Sequence, residues 1–544
     1  MAKLVLPKTT SAVREAAIPL AGEIFYDSEK KRFYGGDGVT VGGIPFTHIA
    51  PGSQYIYGLD TEYNASGDPV SCTQVVLDTT FDEPTNPYRY QPVGAGGFLQ
   101  TPAHNFHRCL MTREAVDGGG YKLTLSKYLN ASDSRFDRSG NAVSLDGSAG
   151  SVMVEIPLTY VRLDLYLDNS EHLHEVYLVH NEPFEGAVPH RRCYDGPGGA
   201  TLRTLYLGAF RSVVCDGTTG AVIPQGSGNA GTPVAYNAAY RLRSVATATW
   251  TLTDGNYVTN PLDDSVGARP CGNWKRAQLR NGHTLEGGTN VSAFFGQWML
   301  LMMAIDGGNW NTQTGISEGY CNLSAFKYQA LRATGRTACF GNGTGSVEAE
   351  DATSGDADYD ILSYADGGTT LWNATAQGTH GRRIVQFSWR GIEDPFGSQW
   401  CFEDGIIKYQ DATESFDASG YWCTNDTTRY SGYDADHSPL HGAANSKFPD
   451  AGYTGAEDVW VSHAWPKAAG NILNTSEKDL YPTKTGSGVY GDYFYNDANA
   501  GSRVVIRGGY AYTAAFVGAA FVRVYSALGS AYASFGGRLA AFSD

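Results

Sequence analysis

No two of the nine cysteines (Cys72, Cys109, Cys193, Cys215, Cys271, Cys321, Cys339, Cys401 and Cys423) stand in a C-x-x-C arrangement. An odd set of widely spaced thiols cannot pair completely and lacks the close ligand spacing of a zinc finger, so they read as small buried apolar residues. Lysine and arginine form no block, and the net charge is −16, which removes the electrostatic footprint of a nucleic-acid binder. Long apolar runs are missing as well. The most apolar stretch, Phe294 to Ile305, is shorter than the roughly 20 residues that span a bilayer, so no membrane insertion is expected. The first residues, MAKLVLPKTT, lack the apolar region of a signal peptide, and the chain is expected to be soluble and made in the cytoplasm.

Catalytic signatures are equally sparse. There is no phosphate-loop motif, no H-E-x-x-H and no G-x-S-x-G. Gly486, Gly488 and Gly491 match the dinucleotide pattern in spacing, but no apolar strand precedes them and no convincing helix follows, so they read as a turn. Asp356, Asp358 and Asp360 begin like a calcium loop. Ile361 and Gly367 then occupy the positions where that loop needs Gly and Glu. His172 and His174 would share one strand face, while His437, His441 and His463 lie in a polar stretch. Without partners at readable spacing each is taken as a surface or satisfied core histidine, and no catalytic residue, cofactor or metal is expected.

What the chain does have is glycine, 67 of 544 residues, and enough apolar and aromatic side chains, 42% and 12%, to bury large cores. That combination predicts a folded, loop-rich protein. Residues 23–26 and 31–34 flank a polar turn and predict a hairpin, too small to be stable alone, which therefore needs partners. Residues 50–148 are polar and turn-rich, with short candidate strands at 74–77 and 121–125, and read as a β-rich connector. Strands follow at 152–156, 161–166, 175–179 and 204–210. Asn290 to Ile305 predicts a helix, capped by Asn290 or Ser292, with Phe294, Trp298, Leu301, Met302 and Ile305 at three- and four-residue spacing.

The stretch with the narrowest alphabet lies late in the chain. Between Tyr510 and Ser534 only Ala, Tyr, Ser, Val, Phe, Gly, Thr, Arg and Leu occur. Aliphatic positions and Phe516 and Phe521 suit a core, whereas a fully buried tyrosine needs a partner for its hydroxyl. Tyrosine with serine and glycine is also the vocabulary of antibody paratopes, in which Tyr supplies rigid contact area and the small residues adapt.

Three groups of residues carry a resemblance. Trp389-Arg390-Gly391-Ile392-Glu393-Asp394-Pro395-Phe396-Gly397-Ser398-Gln399-Trp400, running on to Asp404-Gly405, is the most specific. The others are Arg507-Gly508-Gly509 with Gly518-Ala519-Ala520-Phe521, and Gly536-Gly537-Arg538-Leu539. Together they resemble the retroelement-diversified C-type-lectin-fold family of phage tail receptor-binding proteins, the major tropism determinants and formylglycine-generating-enzyme-like variable proteins. Residues 19–44 are similar to the short N-terminal module of phage tail fibres.

The resemblance implies an α+β fold in three parts. A tail-attachment or trimerisation module would cover 1–55, the connector 56–148, and a C-type-lectin-like receptor-binding domain 149–544, with its variable segment at about 503–542. It implies a homotrimeric adhesin in the virion tail, with other tail proteins and a bacterial surface receptor, protein or glycan, as partners. Tyr510, Tyr512, Thr513, Arg523, Tyr525, Ser526 and Tyr532 would face solvent as the receptor-binding set, above buried Phe516, Phe521 and Leu539. Enzymatic relatives of the fold use a cysteine pair in the later part of the domain. No Cys follows Cys423 here, which argues against that chemistry. A structural tail or baseplate protein is the other alternative.

Overall fold

The computed structural model describes mainly residues 56–77, 90–92, 106–223, 233–259, 270–317, 334–349, 384–410, 420–433, 501–510 and 518–543, with short gaps inside these ranges, and isolated short strands elsewhere. The chain divides into two compact units, Met1–Tyr55 and Ile56–Asp544. In the first, Lys8–Thr9, Ile24–Asp27, Arg32–Gly35 and Ile44–Pro45 form a four-stranded sheet in that order. The hairpin predicted there is present, with Ile24 opposite Gly35 and Asp27 opposite Arg32.

The second unit is mostly β. One six-stranded sheet runs Thr289–Asn290, Leu539–Phe542, Leu205–Gly208, Ser151–Ile156, His107–Ala115, Tyr121–Tyr128. A second runs Val188–Pro189, Tyr160–Leu167, Leu173–His180, Ile56–Tyr63, Pro69–Leu77, Tyr90–Pro92. The expected connector is therefore not a separate part. Strand 107–115 lies directly against 151–156, with Cys109 opposite Met153, and strand 56–63 against 173–180, with Leu59 opposite Tyr177. Each of these strands carries a run of consecutive buried residues paired with a segment from the other side of residue 148, so no boundary falls there.

The predicted helix is Ala293–Gly307. Ser292 is its cap, its hydroxyl accepting from the Phe295 amide at 3.1 Å. Asn290 is a correction: it sits in the short strand opposite Leu539, and its side chain is spent elsewhere. Residues 293 to 305 are all buried, as suits a helix that is apolar all round. One continuous core joins its Trp298, Leu301 and Met302 to Val152, Val154 and Leu207 of the first sheet and to Leu59, Tyr177 and Val179 of the second. Among the described residues, no helix is long and apolar enough to cross a membrane. Cys109, Cys193, Cys215 and Cys271 are buried free thiols, as read from the sequence, and Cys321 lies outside the described residues.

A second helix, Arg276–Glu286, ends at Gly287 in the left-handed region (φ 105°). It leads back to the central motif, because Arg280 makes a two-point contact with Asp404 at 2.8 and 2.6 Å and Arg276 donates to the Ile406 carbonyl. In that motif, strand Ile384–Trp389 turns through Arg390 (φ 49°) and Gly391 (φ 81°) into Ile392–Glu393, with Trp389 opposite Ile392. Two positive φ values in a two-residue loop are the turn that matches strand twist, and Gly391 supplies one without strain. Arg390 meets the carboxylate of Asp306, which also accepts from the Trp389 indole, so the turn is fastened to the end of the buried helix.

Candidate receptor-facing surface

The late segment begins as strand Gly501–Arg507, paired with Trp400–Gln410 on one side and Val522–Val524 on the other. Val504, Val505 and Ile506 are fully buried. Gly508 and Gly509 follow at φ 93° and 74°, and a Cβ on Gly508 would crowd the Phe396 backbone at 3.2 Å. The Gly508 amide donates to the Phe521 carbonyl, and the Ala519 amide donates to the Thr312 hydroxyl. Gly508 and Ala519, on either side of 511–517, are thereby held. Tyr512, Thr513 and Phe516 fall inside that stretch and lie outside the described residues.

Beneath this frame lies a second apolar cluster. Trp400 packs on Phe521 with ring centroids 4.6 Å apart, and Phe402 meets Phe535 edge-on at 5.3 Å. Phe521 and Leu539 are buried, as expected from the sequence. Tyr510 is half-buried, its ring tilted over Trp400 at 6.2 Å. A buried ion pair braces the frame: Arg507 Nε lies 2.5 Å from Glu403 Oε1, and its Nη1 donates to the Ala519 carbonyl. Burial raises the Glu403 carboxyl above its usual range, and Arg507 opposes that shift.

After Val524 the chain turns outward. Tyr525 is 43% exposed, and Arg523, half-buried, lies over its ring with the guanidinium carbon 5.0 Å from the centroid. Ser526 does the opposite of what the sequence suggested. It is 4% exposed, because its carbonyl accepts from the Val504 amide and this ties residue 526 to the central strand. Ala527 is exposed, and the Ser530 amide donates back to its carbonyl, closing a tight turn. Tyr532 is 57% exposed. Of the seven expected side chains, the structure brings Arg523 and Tyr525 into contact, exposes Tyr532, half-buries Tyr510 and removes Ser526.

The backbone of Tyr532 is held by a residue that the sequence did not single out. Asn273, in the left-handed region at φ 63°, donates its amide to the Tyr532 carbonyl at 2.8 Å. Next to it, a Cβ on Gly272 would meet the Ala533 carbonyl at 2.4 Å, so the two segments touch backbone to backbone. The signal was Gly272-Asn273 itself, two residues suited to close approach and positive φ. Further along, Arg538 donates to the carbonyls of Gly208, Ala209, Glu393 and Asp394, locking the closing segment to the central motif.

Solved structures similar to this chain are Major Tropism Determinant variants, the family that the motifs resemble. The P3c variant aligns at 10% identity with a TM-score of 0.22, and the U1 variant at 11% with 0.20, each covering 99% of both chains. No protein-family model matches the chain, and neither does any curated protein sequence.

Proposed function

We propose that this chain is a phage tail adhesin that binds a bacterial surface receptor through the outward part of residues 503–542, carried on a C-type-lectin-like domain. The observation that carries this reading is the pairing of exposure with anchorage. Tyr525 and Tyr532 offer large rings to solvent, while backbone bonds within three residues of each lead into buried strands. Tyr and Arg dominate binding hot spots, since they give contact area and hydrogen bonding at low entropic cost. The frame fixes where those rings stand, so little ordering is left to be lost on binding. No catalytic step is assigned to it. In this reading the protein acts as a homotrimer in the virion tail, where several weak sites on one particle add avidity.

The test is adsorption. Purified full-length protein should bind host cells saturably and block phage attachment, and the Tyr525→Ala/Tyr532→Ala protein should do neither. Undiminished blocking by the double variant would sink the assignment of this surface.

A further inference from the structure

The second sheet carries a group of polar side chains far from the adhesin surface in sequence. Asp60 and Glu62 alternate along strand 56–63, so they share a face. His174 is directly opposite Glu62 and also opposite Tyr166 on its other neighbour. Asp168 sits in the turn that joins strands 160–167 and 173–180.

His174 is fixed in a particular way. Its ring stacks on Tyr166 at 4.4 Å between centroids, and its Nδ1 lies 2.9 Å from Asp60 Oδ1. The other Asp60 oxygen accepts from the Tyr166 hydroxyl at 2.8 Å. A carboxylate facing Nδ1 keeps a proton there, so in the neutral ring Nε2 holds the lone pair. Burial lowers the His174 pKa, but the Asp60 hydrogen bond and the charges of Asp60, Glu62 and Asp168 outweigh it and raise the pKa, so a proton and a metal ion compete for Nε2. That nitrogen is shielded from solvent, makes no hydrogen bond, and faces Asp168 Oδ2 at 3.9 Å. Asp168 is prepared in the same sense: its Oδ1 accepts the amides of Ser170 and His172, which leaves Oδ2 turned to the imidazole. One oxygen each from Glu62 and Asp168 and one nitrogen of His174 lie within 4.8 Å of one another. Glu62 Oε1 also faces His172 Nδ1 at 2.7 Å and its Oε2 accepts from the Ser71 hydroxyl, so an ion entering the cluster displaces or shares these contacts. Carboxylate oxygens gathered around an imidazole nitrogen are an arrangement that a cation relieves.

We propose that Glu62, Asp168 and His174 form a binding site for a first-row divalent transition cation of the zinc type. Metal–ligand bonds of about 2.0–2.2 Å span the 3.9 Å between Nε2 and Oδ2. An imidazole among the donors disfavours magnesium and calcium, which take oxygen shells, and the absence of a thiolate disfavours soft monovalent copper. Asp60 is a positioning residue, since a ligating imidazole commonly donates its other N–H to a carboxylate. The ion would join strand 56–63 to the 160–180 hairpin across more than a hundred residues of chain, a structural cross-link and not a catalytic centre.

The full-length protein, stripped with a chelator, should take up one zinc per chain in calorimetric titration with ZnCl2, with a rise in melting temperature that MgCl2 and CaCl2 do not match. Asp168→Asn and His174→Gln should each abolish that response, and Asp60→Asn should weaken zinc affinity by about 10-fold or more. If His174→Gln does not fold, Asp168→Asn, at a turn and partly exposed, gives the same reading. X-ray absorption should show nitrogen and oxygen neighbours only. Absence of zinc binding, zinc binding unchanged in Asp168→Asn, or sulphur around the metal would each overturn the site, and an equal response to calcium would overturn the choice of ion.

Discussion

Tyr532 stands edge-on over Phe535, ring centroids 4.9 Å apart and planes at 74°, one ring 57% exposed and the other 2%. Only two residues separate a ring offered to solvent from one sealed in the core. The same division recurs between Tyr525 and Ser526, which are adjacent in sequence and opposite in burial. Side chains that could touch a partner and side chains that hold the frame are thus interleaved, and substitutions should separate the two roles.

Replacing Tyr525 and Tyr532 together with Ala should abolish adsorption to host cells. Stability, followed by urea unfolding, should fall by no more than about 1 kcal/mol, since side chains this exposed contribute little to folding. A large stability loss with adsorption retained would make these tyrosines structural.

Positions 526 and 527 should respond in opposite ways to the same replacement. Ser526→Tyr forces a large ring into a site that is 4% exposed and should cost about 2 kcal/mol or more, whereas Ala527→Tyr, on the exposed turn, should fold normally. Equal melting temperatures for the two variants would contradict the inward placement of Ser526.

Gly296, inside the buried helix, should not tolerate alanine. Alanine ordinarily favours a helix by about 1 kcal/mol over glycine. Here the added Cβ would fall 2.0 Å from Glu403 Oε1 and 2.3 Å from Arg507 Nε, displacing a fully buried ion pair. Breaking such a pair costs about 3–5 kcal/mol, which outweighs the propensity gain. Chemical unfolding of Gly296→Ala should therefore show a net loss, and a net gain would mean that the pair moves aside freely.

His283 should make the protein acid-sensitive. It is buried, with Nδ1 2.6 Å from Asn290 Oδ1 and Nε2 2.7 Å from the Ser212 hydroxyl, and burial pushes its pKa down to about 4. The unfolded chain takes up this proton near pH 6.5 and the folded chain does not, so the contribution is present above pH 6.5. It is lost as pH falls towards 4, up to about 3 kcal/mol. In urea titrations at pH 7 and 4.5, His283→Gln should show a smaller difference between the two pH values than the parent. An unchanged difference would assign the acid sensitivity elsewhere.

The helix at 293–307 was legible because its apolar residues repeat at helical spacing and Ser292 marks its start. The helix Arg276–Glu286 was not. Its buried side chains include Arg276, Arg280, His283 and Glu286, satisfied by Asp404, Ser212, Ser151 and Arg243, and no apolar stripe announces a helix that buries charge. The glycines of the closing segment were readable as fixed points, since Gly508 holds a φ of 93° and Gly536 leaves no room for a Cβ, which would fall 2.0 Å from Gln399 Oε1. The inward turn of Ser526 was not readable, for it depends on a backbone bond to Val504 and not on the nature of serine. His172 and His174 were placed on one face from the sequence, but the carboxylates that meet them come from residues 60 and 62, a hundred positions away.

Strand Leu205–Gly208 finds its outer neighbour only in Leu539–Phe542, with Leu207 opposite Ala540. At a synthesis rate of roughly 5–20 residues per second, the intervening segment takes on the order of 20–60 s to emerge. Throughout that interval the edge of a largely apolar sheet is open to pairing with other chains. Yield should therefore depend on how the nascent protein is shielded, and slower translation or a chaperone that occupies the edge should change the soluble fraction more than any single surface substitution.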